Sequence, residues 1–306
     1  MTKSIPGLHH VTAISGPPQA NVDFFTRVIG QRLVKKTVNF DDPGTYHLYY
    51  GDAEGSPGTI LTFFPFADAG PGRAGPGMAS AYAYAVTQGA FDGLMERLAT
   101  DAIDFDGPTE RFGDRVLTLH DPDGAPVELI ATARQSDEPL DGFHSVTLWE
   151  YDIAPTARLM TDVFGYSELG HESTGGIERL RLKAPGDARG AVVDLIRSDV
   201  RTIGRQGAGT IHHIAFRAED DDTQLAWREK LASAGMSVTP VIDRQYFNAI
   251  YFREPGGVLF EIATDPPGFA VDESPDELGR SLKLPAKYEP MRSRIEQSLP
   301  SLTVAS

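Results

Sequence analysis

The feature that most constrains this 306-residue chain is an internal repeat. Laid over one another, GLHHVT (7–12) and GFHSVT (142–147) agree in position and in residue type. Each is followed by an amphipathic stretch ending in a glycine turn, VDFFTRVIGQRLVKK (22–36) and TARLMTDVFGYSELG (156–170). Phe25, Val28 and Ile29 in one, and Leu159, Val163 and Phe164 in the other, have helical spacing on one side. Alternating runs then read as strands: YHLYYGD (46–52) and TILTFFPF (59–66) in the first half, ERLRLK (178–183) and AVVDLIRS (191–198) in the second. The remaining quarters also match. SAYAYAV (80–86) with the helix AFDGLMERLAT (90–100) lies over TIHHIAF (210–216) with TQLAWREKLASAG (223–235), and RFGDRVLTLHDPDGAPVELIAT (111–132) lies over RQYFNAIYFREPGGVLFEIATD (244–265). Asp-Pro-Asp-Gly (121–124) and Glu-Pro-Gly-Gly (254–257) are hairpin turns in equivalent places, and Glu128 falls on Glu261. The chain therefore reads as four βαβββ modules, which restricts the fold more than any local motif. The expected organisation is a two-module domain over 1–134, a linker around QSDEPLDG (135–142), a two-module domain over 142–265, and an extension over 266–306.

Modules that open on an aliphatic-His-aliphatic strand and close on a strand carrying a glutamate resemble the vicinal oxygen chelate superfamily of glyoxalases, bleomycin resistance proteins and extradiol dioxygenases. The resemblance covers residues 5–265. It implies an α+β fold in which four βαβββ modules pair into two half-open mixed β-barrels, helices outside, around a divalent metal. More narrowly, GLHHVTAISGPPQANVDFFTRVIGQRLVKKTVNF, the IHHIAF strand and the tail LKLPAKYEPMRSRIEQSLPSL are similar to the ring-cleaving dioxygenases of hydroquinones and catechols, the chlorohydroquinone 1,2-dioxygenase group included.

The four histidines of the two HH pairs are half of the chain's eight. Successive strand residues face opposite sides, so one member of each pair faces the cup. Val11 and Ala13 share parity with His9, and Ile214 and Phe216 with His212, which leaves His10 and His213 facing the cup. The repeat agrees: His9 has its counterpart in His144, whereas His10 has only Ser145, and Ala83 is read as standing in the place of His213. In VLFEIATD, Phe260 and Ile262 form one face and Glu261 the other, where a buried carboxylate needs a cation. His10, His213 and Glu261 are thus the expected metal ligands, a 2-His-1-carboxylate set that leaves one side of an octahedral ion open. Ser145, Ala83 and Glu128 would make a second cup with one ligand of three, so one metal per chain is expected. His47, His120 and His171 find no partner in the repeat and read as ordinary polar residues.

The similarity to the hydroquinone dioxygenases carries supporting catalytic roles onto His9, Thr12, His212, Arg244 and Tyr251. For His9 and His212, orienting the neighbouring ligand and acid–base work are both open; Arg244 would offset phenolate charge and Tyr251 would donate a hydrogen bond. The implied reaction is Fe(II)-dependent insertion of O2 into a hydroquinone- or catechol-type ring, with Mn(II) as a second candidate metal. A glyoxalase-like lyase or isomerase would want a fourth protein ligand where this chain has Ala or Ser, and a non-catalytic aromatic-binding protein would not need the triad. Phe63, Phe64, Phe66, Tyr246 and Phe247 are candidates for either pocket wall or core, with core favoured. The glycine-rich DAGPGRAGPGMAS (68–80) reads as a flexible connection without a phosphate-loop lysine, and Glu289–Leu299 as a short helix that clasps the body or a second subunit.

Composition narrows the rest. With no cysteine, any metal must rest on His, Asp and Glu. A net charge of −15 argues against nucleic acid. The N-terminus has no apolar signal core and no run approaches the length of a membrane span, so the expected setting is cytoplasmic, with a small aromatic substrate and O2 as partners and a homo-oligomer left open.

Overall fold

The computed structural model describes residues 4–134, 136, 138–199 and 202–304; Gln135 and Asp137 of the anticipated linker lie outside them. The first module is β1 (Leu8–Ser15), α1 (Pro18–Asp23, prolonged by a π-helical turn Phe24–Ile29), β2 (Arg32–Val38), β3 (Tyr46–Gly51) and β4 (Ile60–Pro65). The second is β5 (Met78–Thr87), α2 (Gln88–Thr100), β6 (Asp106–Arg111), β7 (Asp114–His120) and β8 (Pro126–Thr132). The third is β9 (Leu140–Trp149), α3 (Ile153–Arg158, prolonged by Leu159–Val163), β10 (Ser167–Thr174), β11 (Ile177–Lys183) and β12 (Val192–Ser198). The fourth is β13 (Thr210–Ala218), α4 (Asp221–Ser233), β14 (Ile242–Asp243), β15 (Phe247–Arg253) and β16 (Leu259–Pro267), and α5 (Arg292–Ser298) follows in the extension.

Local chemistry sets these limits. A proline at the first position starts α1, and Gly30, at φ 85°, stops the π-helical turn with its N–H on the Phe25 carbonyl. Only the first part of each long amphipathic stretch is therefore helical; the remainder of 22–36 enters β2 and that of 156–170 enters β10. Asp220 caps α4 by accepting the Thr223 N–H at 2.7 Å.

The modules pair across the two halves of the sequence. One eight-stranded sheet has the order β14-β15-β16-β13-β1-β4-β3-β2 and joins the first module to the fourth; the other, β10-β11-β12-β9-β5-β8-β7-β6, joins the third to the second. Each is a mixed half-barrel whose centre is an antiparallel pair of opening strands, β1 with β13 and β5 with β9, flanked by parallel partners. The helices cover the outer faces with residues such as Phe25, Phe91, Met160 and Trp227, all fully buried.

Two glycine turns stitch the half-barrels together. Gly58 donates to the His9 carbonyl and accepts from the Phe143 N–H, both at 2.8 Å, while Gly190 donates to the Phe143 carbonyl and accepts from the Leu8 N–H. At φ 83° and with a would-be Cβ only 2.6 Å from the Arg189 Cβ, position 58 admits no side chain.

The extension clasps the chain's own body. Lys35 on β2 is fully buried and its Nζ meets Asp272 at 2.6 Å and Glu273 at 2.5 Å, while Asp272 also accepts from the Tyr246 hydroxyl. Lys36 and Leu282 form a parallel bridge, and the Tyr288 hydroxyl donates to the Phe40 carbonyl. Removing either partner of so buried a charge costs about 3–5 kcal/mol. The helix expected over Glu289–Leu299 is a 3-10 turn, Glu289–Met291, followed by α5. Among the described residues no helix is long and apolar enough to cross a membrane.

Candidate metal centre

The central pair β1 and β13 is irregular at two places, and both are histidines. Leu8 pairs with Phe216 and His10 with Ala215, so His9 is an extra residue in β1; Thr12 pairs with His213 and Ala13 with Ile211, so His212 is an extra residue in β13. A bulge bends the strand and re-aims side chains. Here it interrupts strict alternation, and neighbouring rings meet edge to face: His9 Nδ1 lies 2.9 Å from His10 Nδ1, and His212 Nδ1 lies 2.8 Å from His213 Nδ1. The second ring of each pair then presents Nε2 to the cup.

Those two Nε2 atoms are 3.4 Å apart. Glu261 arrives on β16, where it pairs in parallel with Ala215. Its Oε2 lies 2.9 Å from His213 Nε2 and 3.4 Å from His10 Nε2. The three donor atoms lie within 4.8 Å of one another, and no other His, Asp or Glu joins the group among the described residues.

Glu261 has no exposed surface, and despite these approaches neither carboxylate oxygen has a hydrogen bond of proper geometry. Burial pushes its pKa up, but His10 and His213 outweigh that and hold the carboxyl well below its ordinary range. His213 is shifted down by burial, against the pull of Glu261. A buried anion facing two imidazole nitrogens, with its own oxygens unsatisfied, suits a divalent cation, since an uncompensated carboxylate there is costly. His9 is also held well below its usual pKa, first by burial and then by His10; burial and His213 bring His212 down to about 4.

The triad opens into a cavity of about 580 Å3. Phe64, Phe66 and Phe247 line it, with the Phe247 ring 5.0 Å from that of His10. Phe63 and Tyr246 belong instead to the core, against Phe25 and Phe269. The aromatic group anticipated mainly as core is thus divided between core and wall. Arg244 donates from Nε to the Tyr251 hydroxyl and from Nη1 to Asp41, each at 3.1 Å. Burial lowers the Arg244 pKa, but Tyr251 and Asp41 more than offset this. Tyr251 sits directly opposite Glu261 in the β15–β16 register. Thr12 lines the same cavity, so all eight residues singled out in the sequence are within or against this one site.

Among the cavity residues that were missed, two carry chemistry close to the triad. His47 and Tyr49 on β3 face the site, with the Tyr49 hydroxyl 2.8 Å from His47 Nδ1. A search for repeated histidines passes over His47, because the equivalent positions across the β11–β12 register are Arg179 and Arg181. The alternation of YHLYYGD, with His47 and Tyr49 of one parity, was the available signal. His120 and His171 are exposed, near Asp106 and Glu168 respectively. The glycine-rich segment 68–80 is tied down, with Pro71 bridged to Ala208 and Arg73 to Arg205; Gln206, between them, lines the cavity.

The second half-barrel corrects one assignment. Thr12 faces His213 and Thr147 faces Ala81, so Ala81, not Ala83, stands in the place of His213; Ala83, opposite Ser145, corresponds to Ala215 opposite His10. The pairing carries bulges that sequence alignment alone does not reveal. Glu128 there takes a bidentate ion pair from Arg111, both N–O distances 2.7 Å. A groove of about 630 Å3 between α2 and the 138–142 segment is lined by Gly30, Asp52, Tyr84 and Arg97 and, among the described residues, holds no such ligand group.

The family profile of the Glyoxalase/Bleomycin resistance protein/Dioxygenase superfamily matches residues 7–129 and 142–262, and the chain belongs to that superfamily. Similar proteins include MhqO of Bacillus subtilis strain 168, provisionally named a ring-cleaving dioxygenase, 46% identical over 98% of this chain and 97% of its own. The chlorohydroquinone/hydroquinone 1,2-dioxygenase of Sphingobium indicum is 33% identical over 98% of this chain and 97% of its own. A crystal structure of a provisionally assigned Bacillus subtilis dioxygenase superposes with a TM-score of 0.91 at 44% identity, covering 100% of both chains.

Proposed function

We propose that the protein is an Fe(II)-dependent ring-cleaving dioxygenase acting on a hydroquinone- or catechol-type aromatic, with His10, His213 and Glu261 as the metal ligands. The observation that carries this reading is the fully buried Glu261 carboxylate, unsatisfied at both oxygens, beside two Nε2 atoms at the foot of an aromatic-walled cavity. Names of relatives covering nearly the whole chain support the same class of reaction. Bound iron, held by His10, His213 and Glu261, would supply the redox chemistry that lets O2 react with the ring. Both oxygen atoms enter the product as one ring bond is broken, so no external reductant is consumed.

The chain's own residues bind and orient. Phe64, Phe66 and Phe247 exclude water and hold the ring. Arg244 stays charged and offsets negative charge on a ring oxygen. Because Arg244 donates to the Tyr251 oxygen, the Tyr251 hydrogen is left to be given into the cavity. A ligand imidazole that uses Nε2 carries its hydrogen on Nδ1, and the 2.9 and 2.8 Å contacts pass it to a bare Nδ1 on His9 or His212. In that tautomer those two residues orient the ligands as neutral acceptors, and the Nε2 atom of His212, which lines the cavity, is the one left for acid–base work.

The test is metal analysis followed by oxygen uptake. Protein purified without chelator and loaded anaerobically with Fe(II) is expected to hold one ion per chain and to consume O2 with a hydroquinone or catechol. Retained iron without O2 consumption across a panel of both diol types overturns the reading.

A further inference from the structure

The polar wall of the cavity carries a chain of contacts that the reading above does not use. Tyr49 Oη is 2.8 Å from His47 Nδ1, His47 Nε2 is 2.8 Å from Thr62 Oγ1, and Thr62 Oγ1 is 2.9 Å from Thr12 Oγ1. The strand register holds these residues together, with Thr62 beside Thr12 in the β1–β4 pair and opposite Tyr49 in the β3–β4 pair. Thr12 and Thr62 have no exposed surface and Tyr49 has 1%.

Counting hydrogens gives the chain a direction. Burial pushes the Tyr49 pKa far up, so the phenol keeps its proton. Burial, followed by His10, His213 and Arg244, holds His47 well below its ordinary pKa against the opposing effect of Glu261, so the ring is neutral. Tyr49 has no other hydrogen-bond partner among the described residues, and its hydrogen goes to His47 Nδ1. A neutral imidazole accepting at Nδ1 has its only hydrogen on Nε2. That hydrogen goes to Thr62, and the Thr62 hydrogen goes to Thr12. In the reverse order the Tyr49 hydrogen would turn toward the cavity, which this residue also lines, and the phenol, a stronger donor and weaker acceptor than an alcohol, would be spent as an acceptor from His47. In the forward order the unassigned hydrogen is that of Thr12, which lines the cavity two residues from His10.

We propose that Tyr49, His47 and Thr62 form a one-way hydrogen-bond relay that fixes Thr12 as a donor to an anionic ring oxygen in the open half of the cup. Tyr49, His47 and Thr62 are positioning residues, and the ligand assigned to Thr12 rests on the dioxygenase reading. The other half-barrel supplies a contrast: the matching positions are Arg181, Arg179, Asp194 and Thr147, joined by ion pairs, with Arg179 Nη1 3.0 Å from Asp194 and 3.3 Å from Thr147 Oγ1. A neutral relay is kept only where there is a cavity to serve.

The test uses the full chain. In chelated, 15N-histidine-labelled protein, His47 is expected as the Nε2–H tautomer, and Tyr49→Phe is expected to release it into a mixture. In anaerobic Fe(II)-loaded protein, Thr62→Val is expected to weaken binding of phenol, an inert one-hydroxyl probe, about tenfold, with Thr62→Ser restoring it. An Nδ1–H His47 in the parent protein, or phenol affinity unchanged in Thr62→Val, overturns the relay. Neither readout requires turnover, so a protein that shows both effects yet consumes no O2 with any aromatic diol sinks the dioxygenase reading and leaves the relay standing.

Discussion

The two half-barrels place a glutamate at the same point and satisfy it in opposite ways. In one, Arg111 closes on Glu128 with two bonds of 2.7 Å, and Asp194 is held by Arg179 and Arg181, so charges of the protein fill the cup. In the other, Arg244 occupies the position equivalent to Arg111 but is drawn aside by Tyr251 and Asp41, and Glu261 is left with both oxygens unsatisfied. The residue opposite the glutamate is Tyr251 in one sheet and Thr118 in the other. The difference teaches that a cup able to take a metal ion needs more than two added histidines: the internal cation that would neutralise the carboxylate must also be held away.

The most damaging change to this contrast is Glu261→Gln, which keeps the shape and removes the charge. Metal content should fall to background, O2 uptake should cease, and the stabilisation that metal confers, about 2.7 kcal/mol at a hundredfold excess over Kd, should vanish from calorimetric scans. Next, Asp41→Ala combined with Tyr251→Thr imitates the second cup by freeing Arg244 to reach Glu261. Metal affinity is expected to drop about 10–100-fold in competition with a chromogenic chelator; unchanged affinity would show that the arginine's restraint is irrelevant.

A third comparison separates stability from activity. Arg111→Leu leaves Glu128 without its partner and should cost about 3 kcal/mol in urea unfolding, with turnover of the folded protein intact. Arg244→Leu should do the reverse, costing under about 1 kcal/mol because Asp41 is exposed, while kcat/KM falls. The last comparison concerns Glu150, at the end of β9, whose pKa burial and Glu254 raise to about 8. The native state holds a proton that the unfolded chain releases above its ordinary carboxyl pKa, so stability falls as pH climbs from about 4.5 to about 8. Glu150→Gln should flatten that slope and raise the Tm at pH 8 by about 2–4 °C for each kcal/mol gained.

Much of the fold was legible in the sequence because the modules repeat and each helix or strand is marked by its own periodicity. The grouping of His10, His213 and Glu261 was legible for a related reason: a two-residue period marks one member of each pair and Glu261 as facing the cup, and the repeat shows which histidines lack counterparts. Less visible was His47, since its counterpart is an arginine and its partner Thr62 is brought to it only by strand pairing.

From the residues alone came the four modules, the need for His and carboxylate ligands in a chain without cysteine, and the choice of one histidine from each pair. The union of first module with fourth was already implied by grouping His10 with His213 and Glu261, and the sheets show it; only the tertiary structure decided that bulges at His9 and His212 let adjacent rings bond, and that Ala81 is the true counterpart of His213. It also decided which arginine meets its glutamate and which is held away. Periodicity is a property of neighbouring residues and can be read along the chain. Register, bulge position and the partner of a long flexible side chain depend on contacts between distant segments, and those exist only once the sheets have closed.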